Sequence, residues 1–392
     1  MTRARDVSRL VTTPPNIYAT DTETSSAGYL TNSSASSTYQ TKAFNQFAHR
    51  NLLINGDMQI AQRSTSVSSV TSGGFLTVDR WNQGITTQGT WTVSVENDAP
   101  TGSGFRKSHK MLCTTADASP GAADNIQFFQ PVEGQNLQQI KKGTAAAEQL
   151  TVSFWVKSNV TGTYIVNLYD NDNARIISKS YTISASGTWE YKTITFPADT
   201  TGALDNDNAL SFSIQFSLGA GTDYTSGTLN TSWATSTNAN RFVGQTNLAA
   251  STNNYWQVTG VQLEVGDVAT PFEFKPYNEE LRQCLRYFWR QASGNPKTFA
   301  MGTYYSSTEI LGAFQFPVPM RAAPTLTTAS GTDYYSIIRA SGTDSFNNLT
   351  SDQTNDYHSQ VYNNAQVSGT AGQAGIIKTA NAAATVDWSI EL

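Results

Sequence analysis

The chain has 392 residues, 14% charged and 38% hydrophobic, with a net charge of −5 at pH 7. That length supports two or three domains, and a charged share well below the ~25% of an average soluble domain, replaced by Ser, Thr, Asn, Gln and Gly, favours a β-rich protein over a helical enzyme. No Lys/Arg run could track a phosphate backbone and no apolar run nears the ~18 residues of a membrane span, so neither nucleic acid nor membrane insertion is expected.

Residues 1–48 carry little to bury and contain no apolar signal-peptide core. They read either as a flexible tail or as an extended arm whose apolar points Val7, Leu10, Val11, Ile17 and Tyr18 would order on a partner. Residues 49–276 read as one large sandwich. Asn55-Gly56-Asp57 is a tight-turn signal. Many short alternating runs follow, among them 75–81, 91–95, 126–130, 150–156, 164–169, 176–183, 189–196 and 210–216, with turn-rich segments between them. Such spacing implies an antiparallel sandwich or jelly roll. Residues 218–254, rich in Gly, Ser, Thr and Asn around Tyr224, Trp233 and Phe242, read as a long decorated loop, a usual place for binding. Residues 256–264 read as the closing strand, with Trp256, Val258, Gly260 and Gln262 on one face and Gln257, Thr259, Val261 and Leu263 on the other.

The period then changes. Over 277–291 the positions Leu281, Cys284, Leu285 and Phe288 form one helical stripe, with Asn278 as N-cap, Glu279 and Glu280 in the first turn and Arg286 and Arg290 at the end. Residues 292–392 resume β patterning as a smaller sandwich. In its last run Ala384, Val386, Trp388, Ile390 and Leu392 share a face, which makes Trp388 core. Residues 339–360 read as a long polar loop carrying Phe346, Asn347, Asn348, Tyr357 and His358.

Signs of chemistry are few. His49, His109 and His358 have no metal-ligand spacing and read as surface or polar-network residues. Cys113 and Cys284 stand far apart and read as buried thiols. The clusters at 170–173 and 205–208 start like calcium loops, but the first has Arg175 and Tyr181 where such a loop needs Gly and Glu, so both read as turns. No catalytic pairing of acids or nucleophile stands out, and no cofactor is expected. Trp81, Trp91, Trp155 and Trp189 lie in strand patterns and read as core, while Tyr224 and Trp233 are the aromatic residues expected to be exposed.

Several motifs together resemble bacteriophage tail-fibre and related virion proteins whose large domain is similar to the jelly roll of carbohydrate-binding modules. They are Asn51-Leu-Leu-Ile-Asn-Gly-Asp-Met58, Asp79-Arg-Trp81, Ile126-Gln-Phe-Phe-Gln130, Val152-Ser-Phe-Trp-Val-Lys157, residues 256–264, Ala269-Thr-Pro-Phe-Glu273, Leu281-Arg-Gln-Cys-Leu-Arg-Tyr287 and Phe316-Pro-Val-Pro-Met-Arg-Ala-Ala-Pro324. The resemblance covers roughly residues 49–325. It implies a non-enzymatic homotrimeric fibre of a tailed phage, docked through its N-terminal arm on a tail or adaptor protein and touching a host-surface glycan or protein with its distal parts. It also implies that Leu281, Cys284, Leu285 and Phe288 could meet their copies on a threefold axis. The residues alone also allow that stripe to pack on its own sandwich. Carbohydrate modules of this shape often hold a structural calcium near the opening turn, which would fall at Asn55 and Asp57, although Thr259 and Gly260 stand where the closing strand usually supplies an acid.

The expected architecture is therefore mainly β: an N-terminal arm (1–48), a jelly-roll β-sandwich (49–276), a helical joint (277–291) and a C-terminal β tip (292–392). Receptor contact is expected first at Phe346, Asn347, Asn348, Tyr357 and His358, and second at Tyr224 and Trp233. A purely structural virion component and a polysaccharide-degrading enzyme are the alternative readings.

Overall fold

The structure, a computed structural model, describes residues 49–392. The arm residues Val7, Leu10, Val11, Ile17 and Tyr18 lie outside the described residues. Residues 51–392 form one compact unit. Among the described residues no helix is long and apolar enough to cross a membrane.

The large domain consists of β1 (Ser66–Gly74), β2 (Asn82–Glu96), β3 (Ser108–Thr115), β4 (Asn125–Glu133), β5 (Leu150–Ser158), β6 (Gly162–Asp170), β7 (Arg175–Ile183), β8 (Glu190–Phe196), β9 (Leu210–Ala220), β10 (Ala234–Thr235) and β11 (Tyr255–Val265). Their hydrogen-bonded order is β10-β7-β6-β9-β4-β2-β3-β11-β5-β8, with β1 on β2. β2 serves two layers: residues 82–86 pair with β4 and residues 90–96 with β3. Between these halves the chain turns at Thr87 (φ 51°) and Gly89 (φ 72°), and a Cβ on Gly89 would lie 2.8 Å from the Thr115 carbonyl oxygen. The bend folds one ladder into the two sheets of a jelly roll. Sheet I is β10-β7-β6-β9-β4 and the first half of β2; sheet II is the rest of β2 with β3, β11, β5 and β8.

Alternation builds the core. Phe212, Ile214, Phe216 and Leu218 of β9 face inward while Ser211, Ser213, Gln215 and Ser217 face out, as a pleated strand requires. Aromatic rings bridge the sheets, with Phe216 centred 5.0 Å from Phe154 and 5.8 Å from Trp256, and Phe128 5.7 Å from Trp256. The alternation of the closing strand breaks at Gly260 (φ 63°), where the β11–β5 register shifts between Thr259 and Gln262. Trp256, Val258, Val261 and Leu263 consequently all reach the core, so the strict two-face assignment expected for 256–264 is corrected by a β-bulge.

The helix α1 is shorter than expected, Tyr277–Leu285 instead of 277–291, and begins after Pro276 without a side-chain cap from Asn278. It ends because Phe288 enters β12 (Phe288–Ser293), which pairs with β21 (Thr385–Ser389). A tertiary strand partner and the β preference of Phe-Trp override the helical period. Phe288 therefore does not belong to a helical stripe. Both Phe288 and Cys284 are buried by the chain's own residues, and only Leu281 and Leu285 remain partly exposed. The four-residue trimer stripe is thus not presented as one surface.

The tip adds β13 (Thr298–Tyr304), β14 (Ile310–Gln315), β15 (Thr325–Thr328), β16 (Tyr335–Arg339), β17 (Gly342–Phe346), β18 (Thr350–Asp352), β19 (His358–Asn363) and β20 (Ala374–Thr379). A seven-stranded sheet, β17-β16-β20-β13-β14-β19-β18, and a three-stranded sheet, β12-β21-β15, share a second core around Trp388, Tyr335, Ile377 and Phe346. The expected loop at 339–360 thus contains two strands and the start of a third.

Body and tip are clamped. Arg63 and Arg80 of the body both bind the Glu391 carboxylate, Arg80 lies 3.4 Å from the Tyr287 ring centre, and Arg286 pairs with the buried Glu133 at 2.8 Å. The Ile390 amide donates to the Tyr287 carbonyl at 2.8 Å.

Candidate recognition surfaces

The tip residues expected to bind do not form one patch. Phe346 is fully buried, with its ring 6.0 Å from Tyr335, and belongs to the core. Its place in β17 opposite Tyr335 points it inward. Asn347 is half-buried and its Oδ1 accepts the Asp333 amide at 3.0 Å. Asn348 is exposed beside Asn363, at the far end of β19 from His358. Six residues of strand span roughly 17 Å, which separates these two groups. Tyr357 (58% exposed) and His358 do lie together, in a turn pinned by Asn355 Oδ1, which accepts both of their amides.

Trp233 is not a free platform. Its Nε1 donates to the Pro197 carbonyl at 2.8 Å, its ring lies 6.2 Å from Phe212, and the Lys142 ammonium sits 5.2 Å above it. It caps the edge of the body core. Below it Lys142 is bound by Asp170, by Asp199 at 3.0 Å and by the carbonyls of Thr201 and Gly202, each at 2.9 Å. Asp170 also accepts the Asn173 amide at 2.9 Å, which confirms the turn reading of that cluster.

Asn55 holds the opening turn. Its side chain donates to the carbonyls of Ile60 (2.8 Å) and Asp79 (3.0 Å) and accepts the Ile60 amide (3.0 Å). Asp57 Oδ2 accepts from Gln59 at 2.7 Å, and burial raises its carboxyl above the usual range. Among the described residues no group of three or more His, Cys, Asp or Glu side chains is placed to hold a metal. Cys113 and Cys284 are buried thiols, as expected. His109 is not a surface or network residue: it is fully buried, stacked 4.3 Å from Phe128, with neither ring nitrogen partnered.

Two outer faces of the jelly roll carry chemistry. On sheet II, Trp155 and Tyr191 pair across β5 and β8 with ring centres 5.3 Å apart, and Tyr191 is 46% exposed. Trp189, just before β8, lies beside them: its Nε1 donates to Asp98 at 3.2 Å, and Lys157, which binds the same carboxylate, sits 5.3 Å over its ring. Trp155 and Trp189 are only half-buried, so their assignment to the core is corrected. The signal was present in the sequence. In Val152-Ser-Phe-Trp-Val156 the pleat cannot turn both Phe154 and Trp155 inward, and Val152, Phe154 and Val156 share the core face.

On sheet I the register aligns Ser178, Asn167, Gln215, Phe129 and Asn82 in one row across five strands. The 218–254 segment lies against the β7–β6 side of this face, where Ser178 Oγ donates to the Arg241 carbonyl at 3.0 Å and the Thr246 amide to the Thr163 carbonyl at 2.8 Å. Tyr224 belongs here, 6.1 Å from Phe242 and beside Arg241. The segment is therefore a packed cover and not a free loop.

No protein-family model and no curated protein matches the chain. Among solved structures, it is similar to the enzymatically active domain of bacteriophage CBA120 tailspike protein 4 at 14% identity and a TM-score of 0.30, over 55% of this chain and 22% of that one. It is also similar to TmCBM61 in complex with β-1,4-galactotriose (11% identity, TM-score 0.29, 55% of this chain, 99% of that one). A third is the family 11 carbohydrate-binding module from Clostridium thermocellum (11% identity, TM-score 0.27, 49% of this chain, 91% of that one). The chain thus spans less than a quarter of the tailspike domain's length.

Proposed function

We propose that the protein is a non-enzymatic virion appendage of a tailed phage that recognises glycans on the host surface, with the outer face of sheet II as a contact. The observation that supports this most is the group Trp155, Trp189 and Tyr191. These are large aromatic side chains left partly exposed on one rigid sheet face, interleaved with the charged groups of Asp98 and Lys157. Ring faces stack on the apolar faces of pyranoses while the polar groups orient hydroxyls, the general make-up of a small-molecule site. The phage assignment and the docking role of residues 1–48 rest on the ordered motifs of the sequence. Weak single sites gain from being linked on several copies, which makes a trimer useful to such a protein.

The test is a glycan array and a binding assay on host-cell polymer with the full chain, against Tyr191→Ala and Trp155→Ala. Each variant is expected to bind at least about tenfold more weakly, the loss of one well-packed aromatic contact. Its circular dichroism spectrum should stay unchanged. Unaltered binding in both variants, or loss of fold in both, would sink the assignment.

A second reading, a structural component that docks on another protein, is supported by a different observation. Ile338, Ile376 and Met301 sit side by side across β16, β20 and β13 on the outer face of the tip sheet, 38%, 40% and 67% exposed. An apolar row of that kind suits a protein interface. Tight binding to another virion protein with none to host cells would favour this reading.

A further inference from the structure

Several buried or half-buried arginines of this chain are matched by anions. Arg80 binds Glu391, Arg175 binds Asp199, Arg286 binds Glu133 and Arg290 binds Asp387. Arg321 lacks a carboxylate, but its guanidinium donates to three backbone carbonyls, of Asn208, Ile390 and Glu391. Arg241 has neither. Its Nη2 donates to the neutral Gln215 Oε1 at 2.8 Å, its Nε is buried without a partner, and among the described residues no carboxylate lies within ion-pair distance. Its guanidinium carbon is 4.9 Å from the Phe242 ring centre and 5.7 Å from each of the Tyr169 and Tyr224 rings. Across the sheet from Gln215, Asn167 is fully buried with both amide atoms unpartnered.

Arg241 is half-buried, and holding even a partly desolvated cation without an anion is unfavourable unless something else supplies the charge. Burial accordingly pulls the Arg241 pKa down from its ordinary value, with the neighbouring tyrosines acting against it. We infer that the outer face of sheet I is a second binding site, in which Arg241 takes the carboxylate of an acidic sugar, a uronate or a sialate. The planar fork of the guanidinium matches a carboxylate with two parallel N–H···O bonds. The ring faces of Tyr169 and Tyr224, both half-buried, suit the apolar side of a pyranose. A single cation among neutral groups fits one carboxylate per sugar and not a phosphate-dense polymer, which would call for a basic cluster. The site lies on the opposite side of the sandwich from Trp155 and Tyr191 and does not depend on that face.

The experiment titrates the full chain with trigalacturonate and with a sialylated trisaccharide, each beside its neutral counterpart, by calorimetry and thermal shift. Wild type, Arg241→Gln and Tyr191→Ala are compared. At least one acidic sugar is expected to bind at least about tenfold more tightly than its neutral partner, with that advantage lost in Arg241→Gln and kept in Tyr191→Ala. Without ligand, Arg241→Gln should melt at or above the wild-type temperature, since it removes a half-buried charge that has no counter-ion. The inference is overturned if neither acidic sugar is preferred over its neutral counterpart. It is equally overturned if Arg241→Gln binds as wild type does, or if its unliganded melting temperature falls, which would make Arg241 a structural residue. Neutral sugars binding only in a Tyr191-dependent way would leave the sheet II site standing and remove this one.

Discussion

His109 is the residue most exposed to pH through its burial. Packed against Phe128 with no partner for either nitrogen, it has its pKa pushed from 6.5 down to about 3 by desolvation. Below pH 6.5 the unfolded chain takes up a proton that the folded core refuses, so stability is full above that value and falls as pH drops towards about 3. Asp79 works the other way. Burial raises it to about 6 against the pull of Arg63, so its contribution is full below 3.8 and is lost as pH rises through about 6. His109→Leu isolates the first effect: measured by urea unfolding, its stability relative to wild type should improve by roughly 3 kcal/mol between pH 7 and pH 4.5. An unchanged difference over that range would show that the imidazole is not shielded as described. Lys142 offers a contrasting case, a buried cation with all its partners. Lys142→Met strands the buried Asp170 and should cost about 3–5 kcal/mol in the same assay, part of which Asp170→Asn should restore.

Among the elements, the closing strand β11 owes its geometry to one glycine. Gly260 holds φ 63°, and a Cβ there would meet the Phe105 ring at 2.4 Å. The bulge around it lets Val258 and Val261, which strict alternation would place on opposite faces, both enter the core. Gly260→Ala is therefore expected to lower stability by about 1–3 kcal/mol, read as a shift of the urea midpoint at constant slope. An unshifted midpoint would mean the strand can close without its bulge. Helix α1 belongs to this scale too. Nine residues are marginal alone, and it persists because Glu280 and Cys284 are buried and Glu280 Oε1 accepts the Asn55 amide.

The whole molecule is held by the clamp at its C-terminus. Glu391 receives Arg63 and Arg80, and Arg80 is 1% exposed, so Glu391→Gln leaves a buried guanidinium without its counter-charge. Calorimetry should show body and tip of the wild type melting together, and the variant losing about 3–5 kcal/mol with the tip melting first. A single unshifted transition would show that the clamp contributes nothing to coupling. Assembly is measured separately, by light scattering of the full chain. A trimer would have to use surfaces other than a helical stripe containing Cys284 and Phe288, since both are buried within one chain. A monomer would remove the mechanical argument for a fibre.

The sequence by itself determined the β class and much of the core, but not the full set of strands: β1, β3 and β10 carried no expected run, and residues 75–81, expected as a strand, are bends and turns that lead into β2. Period-2 alternation and turn residues are local signals, and β9 or β21 could be assigned inward and outward faces from them, with Trp388 inside as expected. Parity also held the clue to Trp155, since Phe154 beside it takes the core side. What the tertiary structure alone decided is which outer faces are covered and where a pattern yields to a partner. Phe288 leaves a helical period because β21 is there to pair with it. Phe346 enters a core because β16 lies opposite, and Trp233 caps an edge because Pro197 accepts its N–H. Arg241 gained its meaning in the same way. Only the folded chain shows a half-buried charge with no counter-ion among the described residues, because the placing of charges against one another is a property of three-dimensional packing and leaves no trace in the order of residues.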